Sequence, residues 1–437
     1  MKYINTLNQF DGSISLNFAL KPLRVFSMIN EWGSREDKNP ISFSHFQSIT
    51  LIKGEGSWVW DKDGKRYLDM STSCSATVYG HCHPRILSAF IYQASRLSLC
   101  PSHTFSEHWE PYTRKLRSLF KAEIAIPIKS EEAAFRILIK AIQDWGHENK
   151  GISKRKIEII LFNKGLYGYL TSIKDFSFKG QKKDSEDEYL PHFHLASFGN
   201  IEALKKIVNQ NSCAIITEAF YEEDGVIIPP KGWLKDVEQI CKDNNLLLIS
   251  NECRTELGRT GKLLSFYHDE IQPHGIVLGN ALGGGVLSSA ALLGTSDLLL
   301  KSSLDLNNPL YENSPLKLSL GLASLHVLIE EKLIDHSADL GRYFLNRLRQ
   351  IESPYLQDVR GEGLWIGIEL DANYRTNHSV CEQLAHMGIL TKPINESVIH
   401  LAPSLVITQK EIDWALIRIH QVLVGCGTFA IQVPLAF

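Results

Sequence analysis

Glu218, Asn251, Glu252 and Asn280 stand at or just beyond the ends of apolar, β-branched runs: AIITEAF (214–220), LLLISN (246–251) and GIVLG (275–279). Runs of that composition suit buried strands of a parallel sheet, and the residues past the carboxyl ends of such strands line the crevice where ligands bind. Their types suit proton transfer, because a carboxyl group tuned by burial and neighbouring charge serves as general acid or base. Metal chemistry has little to build on. His81, Cys82 and His83 are adjacent, and adjacent side chains do not converge on one ion without a further ligand at helical spacing.

Positioning these residues requires an α/β scaffold. From about 83 to 300 the hydrophobic period alternates between helix and strand. Helices are expected at 83–97, 106–120, 131–149, 201–209 and 233–244, with buried strands at 156–162, 214–220, 246–251, 275–279 and 290–294. Before them, GSWVWDKDGKRYLDM (56–70) reads as a hairpin on an Asp-Gly turn. After Pro315, two helices reaching Ile334 and Ile351, a strand pair and a last helix from Thr408 form a smaller unit. The expected division is an N-terminal segment (1–75), a large α/β domain (76–320) and a small α/β domain (321–437).

The chain has 437 residues, 44% of them hydrophobic, and a formal charge of -3, which leaves no electrostatic footprint for nucleic acid. No apolar run reaches membrane-spanning length and no signal peptide is legible, so the cytoplasm is expected and no membrane partner. The eight cysteines lack the spacing of a disulfide framework or zinc site.

Six stretches in order, GEGSWVWDKDGKRYLDM, GHCHPRI, GVIIP, RTGK, RGEGLWIGIEL and LTKPI...HLAPSLVI, resemble the class III aminotransferases, of the ornithine and acetylornithine type. The resemblance runs from about residue 40 to the C-terminus. It implies the fold type I architecture of pyridoxal-phosphate (PLP) enzymes: a large domain on a mainly parallel seven-stranded sheet, a small C-terminal α/β domain, and a homodimer with active sites at the subunit interface.

At the site itself the resemblance implies departures. The lysine that forms the Schiff base falls on Asn280, in Gly279-Asn280-Ala281-Leu282-Gly283, and an amide cannot condense with an aldehyde. The acidic partner of the pyridine nitrogen falls on Asn251. The phosphate-binding turn falls on Ser130 and Glu131, where a carboxylate replaces glycine, and the partner subunit's hydroxyl falls on Leu310. The stacking aromatic falls on Leu166, and positions holding the distal part of ornithine fall on Ser44, Cys74 and Tyr169. From these departures no cofactor is expected: PLP binding is ancestral and lost.

The resemblance also implies an ion-pair gate for a substrate carboxylate, formed by Glu223 and Arg360. Glu223 and Glu252 are then the catalytic candidates, with Arg360, Glu218, Arg254, Tyr167 and Tyr221 binding an amino-acid-like, carboxylate-bearing molecule. The expected function is PLP-independent acid–base chemistry in a repurposed pocket. Two alternatives stand beside it: a non-catalytic partner or sensor that forms a heterodimer with an active aminotransferase instead of a homodimer, and a residual transaminase holding its cofactor without a covalent bond.

Overall fold

A computed structural model describes residues 49–71, 76–101, 104–172, 190–300, 310–371 and 377–425. Strand β1 (Leu51–Glu55) pairs with β2 (Trp58–Asp61), which turns through Asp61–Lys65 into β3 (Arg66–Asp69). Asp61 holds that turn by accepting from the backbone N–H groups of Asp63 and Lys65 and from the Tyr67 hydroxyl. The hairpin read from the sequence is therefore present.

Helices α1 (Pro84–Ala94) and α2 (Trp109–Phe120) lead into β4 (Ile124–Ile128) and the long α3 (Glu131–Lys150). The α/β alternation continues as β5 (Glu158–Leu161), α4 (Lys164–Ser172), β6 (His192–Leu195), α5 (Ile201–Ile207), β7 (Ser212–Thr217), α6 (Trp233–Asp243), β8 (Leu247–Asn251), β9 (Gly275–Leu278), β10 (Ala290–Gly294) and the short α7 (Ser296–Leu299). The seven strands form one sheet in the order β4-β10-β9-β8-β7-β5-β6. From β9 to β6 all neighbours are parallel, and β10 runs antiparallel to both its neighbours. Strands β7 to β10 are buried along their whole length, which explains why they read as unbroken apolar runs. The two strands the sequence did not reveal are the edges: β4 contains Pro127, tolerated at an edge, and β6 is the mixed HFHL.

Helices α8 (Pro315–Glu330) and α9 (Leu333–Arg349) precede a second sheet of order β11-β12-β15-β14, built from β11 (Leu356–Glu362), β12 (Trp365–Leu370), β14 (Lys392–Pro393) and β15 (Val398–Leu401). Helix α10 (Asn377–His386) leads to β13 (Ile389–Leu390), which pairs in parallel with β3 and so ties the N-terminal hairpin to the C-terminal region. The last helix, α11 (Gln409–Val424), starts with a reciprocal capping box between Thr408 and Glu411. No described helix is long and apolar enough to cross a membrane.

Candidate functional site

The crevice opens at the carboxyl ends of β5, β7 and β8. Chain order there delivers Asn163 after β5, Glu218 after β7, and Asn251 as the last residue of β8. Asn163 fixes its side chain by accepting the Leu166 N–H (2.7 Å), a cap on α4. Its amide then donates to Glu218 Oε1 (2.9 Å), and Asn251 Nδ2 donates to the same oxygen (2.7 Å). Glu218 is buried, and desolvation pushes its carboxyl up to about 8. The Arg254 charge and the Asn163 hydrogen bond oppose that rise, while Glu223 and Glu222 add to it. At neutral pH Glu218 holds a proton it can give.

Beside it lies a cavity of about 240 Å³, lined by Asn163, Glu218, Glu222, Glu223, Arg254, Lys392 and Ile394. Two walls come from different sheets. Glu222 and Glu223 sit on the turn after β7, whereas Lys392 is on β14. Lys392 Nζ lies 2.7 Å from Glu222 Oε1, and His400 Nδ1, on β15 directly across from Lys392, lies 3.5 Å from the same oxygen. Burial works to raise the Glu222 carboxyl, but His400 and Lys392 outweigh it and hold the group well below the usual carboxylate range. Glu223 accepts from the Gly165 N–H (2.8 Å) and the Tyr221 hydroxyl (3.1 Å). A side chain at position 165 would overlap that carboxylate, so glycine there is what lets the α4 backbone approach.

Deeper in, Glu131 opens α3 and Asn280 opens the turn after β9; Asn280 Nδ2 donates to Glu131 Oε1 (3.3 Å), and Asn280 Oδ1 accepts from the Ser288 hydroxyl (2.6 Å). Burial raises the Glu131 carboxyl, against the pull of Arg254. Arg254 thus sits between two carboxyl groups, Glu131 and Glu218, and its charge acts on both. Ser130 caps α3 by accepting the Ala133 N–H. Leu166 and Leu310 pack partly buried against the core on this side of the sheet, and the Leu310 carbonyl accepts the Lys129 N–H.

Two sequence-based expectations are corrected by this geometry. Glu252 does not face the crevice. It is fully buried and accepts from the Ser265 N–H and hydroxyl, the Ser250 and Thr255 hydroxyls and the Phe266 N–H, which makes it the knot of the loop after β8. Nor does Arg360 pair with Glu223. From β11 it bridges to Asp358 and Glu369, and its other donors reach the Val226 and Gly225 carbonyls, so it braces the turn after β7 from behind. The side chains of Tyr167 and Tyr169, and residues Ser44 and Cys74, lie outside the described residues. Among the described residues no group of three His, Cys, Asp or Glu side chains could hold a metal ion. Asn163, Lys392 and His400 are the crevice residues that sequence reasoning missed.

The model of the aminotransferase class-III family matches residues 42–423. The chain belongs to the class III aminotransferase family. An ornithine aminotransferase from Geobacillus sp. (strain WCH70) is 36% identical over 381 residues, 87% of this chain and 95% of that protein. Among solved structures, ornithine δ-aminotransferase of Plasmodium falciparum superposes with a TM-score of 0.78 at 30% identity, covering 92% of this chain and 98% of that one. The ornithine aminotransferase of Toxoplasma gondii gives a TM-score of 0.78 at 27% identity, covering 93% and 95%, and carries PLP at partial occupancy at its active site. Membership of this family, through aminotransferases that match nearly the whole chain, overturns the expectation of a protein without a cofactor. The departures that the resemblance implies at Glu131, Asn251, Asn280 and Leu310 are not by themselves a loss of cofactor binding.

Proposed function

We propose that this class III aminotransferase-family protein binds an amino-acid-like molecule in the Glu218–Arg254 crevice and exchanges a proton with it through Glu218. The observation that carries the reading is Glu218 itself: a buried carboxyl raised to about 8, held on one oxygen by Asn163 and Asn251, at the edge of a cavity. Arg254 supplies a cation for a carboxylate, and Glu223 at the exposed rim supplies an anion for an ammonium group. The spacing of unlike charges around about 240 Å³ suits a small zwitterion.

PLP, when bound, supplies an electron sink for the carbon bearing the substrate's amine. The N-terminus of α3, capped by Ser130, together with Arg254 provides the positive potential that an anionic group needs, while Asn251 and Glu218 offer polar contacts at the carboxyl ends of β8 and β7. Residue 280 is an amide, so these residues fit a group held without a covalent bond from that position. Glu131 stands in the first turn of the same helix, and burial raises its carboxyl against the pull of Arg254.

A subunit partner fits the exposed apolar stretch on and after α1, where Ile91, Tyr92, Leu97, Leu99 and Phe105 face outward. We propose that a second subunit, of this chain or of a related aminotransferase, covers it.

Calorimetric titration with L-ornithine and L-glutamate, with and without PLP, tests the ligand reading. At least one amino acid binds, and Arg254→Ala weakens it by about tenfold or more, the loss of one charge-assisted hydrogen bond. Absence of binding by every amino acid under both conditions refutes the proposal.

A further inference from the structure

The family's imine-forming position offers no amine in this chain, yet the cavity contains one. Lys392 lines it from β14, with its side chain 38% exposed and its Nζ 2.7 Å from Glu222. Lys164, at the start of α4, is absent from the lining, stands 62% exposed and is bound to both oxygens of Asp224. We infer that Lys392 is an imine-forming lysine for an aldehyde that enters this cavity, with Glu222 as its proton acceptor and Glu218 as the acid that releases water. The inference rests on the reading of the crevice as an amino-acid site served by PLP, which is itself an aldehyde.

The step balances within the lining. Lys392 passes one proton to Glu222, and the neutral amine adds to the carbonyl carbon, whose double bond to oxygen opens to give a carbinolamine. The carbinolamine hydroxyl takes the proton of Glu218 and leaves as water while the carbon–nitrogen double bond forms, leaving a protonated imine beside the Glu218 carboxylate. Lys392 is one of the two groups that hold Glu222 low, so Glu222 gains basicity as the lysine proton leaves. Glu218 carries its proton at neutral pH, which is what dehydration of a carbinolamine requires. His400, buried and opposite Lys392 in the β14–β15 ladder, keeps Glu222 aimed at the amine.

The shared chemistry is an aldehyde, and two sources supply it: PLP or a plain aliphatic aldehyde. The full-length protein is incubated with PLP in one arm and butanal in another, reduced with cyanoborohydride, digested and mapped by peptide mass. Adduct forms on Lys392 at least about tenfold faster than on Lys164, and Glu218→Gln slows the Lys392 reaction by about tenfold or more while leaving Lys164 unchanged. Labelling by PLP alone identifies the cofactor as the occupant; labelling by butanal as well identifies a site for aldehydes in general. Equal labelling of the two lysines, or an unlabelled Lys392, overturns the inference. Calorimetry on the native protein separates it from the underlying reading: an amino acid that binds while Lys392 takes no adduct overturns this inference alone, whereas loss of amino-acid binding in the native protein removes the underlying reading as well.

Discussion

Glu218→Gln removes a titrating group and leaves its shape, so it isolates what the buried carboxyl does to stability. In the folded protein the group titrates near 8, against an ordinary 4.5. Its folded pKa is raised, so between those values the native state holds a proton that the unfolded chain has released, and stability falls as pH rises. At about 1.4 kcal/mol per pH unit, charging Glu218 opposes folding by up to about 5 kcal/mol at pH 8 and above, and by almost nothing at pH 4. Glutamine mimics the neutral acid, and its carbonyl oxygen still accepts from Asn163 and Asn251. Urea denaturation of the native and Gln proteins at pH 5, 6.5 and 8 therefore shows curves that nearly coincide at pH 5 and separate by about 3 to 5 kcal/mol at pH 8, with the variant more stable. A variant that is less stable at pH 8, or a gap that does not change with pH, refutes the assignment of Glu218 as a neutral acid.

Glu252→Ala strands the Ser250 hydroxyl and two backbone N–H groups in a fully buried knot, leaves the Thr255 and Ser265 hydroxyls only each other, and costs about 3 kcal/mol or more in urea denaturation; a surface-like loss below about 0.5 kcal/mol would return Glu252 to the crevice. Glu222→Gln behaves in the opposite sense to Glu218→Gln, because the folded Glu222 carboxyl lies below its ordinary 4.5. Its contribution is present above that value and lost progressively as pH falls from there toward the lower folded value, so the variant is destabilised by about 1 to 3 kcal/mol at pH 7, discounted for the exposure of Lys392, with the gap closing below about pH 4. Gly341→Ala drives a methyl into the Gly363 backbone, which has no side chain to move aside, and lowers stability by about 2 kcal/mol or more by the same assay.

The central sheet was legible because burial on both faces makes β7 to β10 continuous apolar runs, and periodicity marked the helices between them. Edge strands β4 and β6 escaped for the complementary reason: one carries a proline and the other alternates with histidine. The crevice was legible where a side chain simply follows a buried strand, as for Glu218, Asn251 and Asn280. It was not legible where a local partner competes for the same group. Arg360 lies on β11 with Asp358 two residues away on the same face, and Glu369 stands opposite Asp358 in the β11–β12 ladder. Hairpin register would have shown that this arginine is occupied before it can reach Glu223. Lys392 and His400 meet only because β14 and β15 pair across a short turn, and a two-residue strand such as Lys392–Pro393 carries no periodic signal of its own.

Carboxyl groups gathered in one crevice divide acid from base only if their surroundings push them apart, and here they do. Glu222 faces His400 and Lys392 and stays charged; Glu218 is desolvated with one arginine charge to offset it and stays protonated; Glu131 shares that same arginine from the other side. Glu256, fully buried beneath position 280, accepts the Gly279 and Ala281 N–H groups and lies far above the usual range through burial. It thereby fixes the turn that points Asn280 at Glu131. Because Arg254 serves two carboxyl groups at once, any ligand carboxylate that draws its charge away raises Glu131 and Glu218 together. Binding of an acid at Arg254 therefore strengthens the hold of Glu218 on its proton, which couples occupancy of the crevice to the acid that the chemistry there requires.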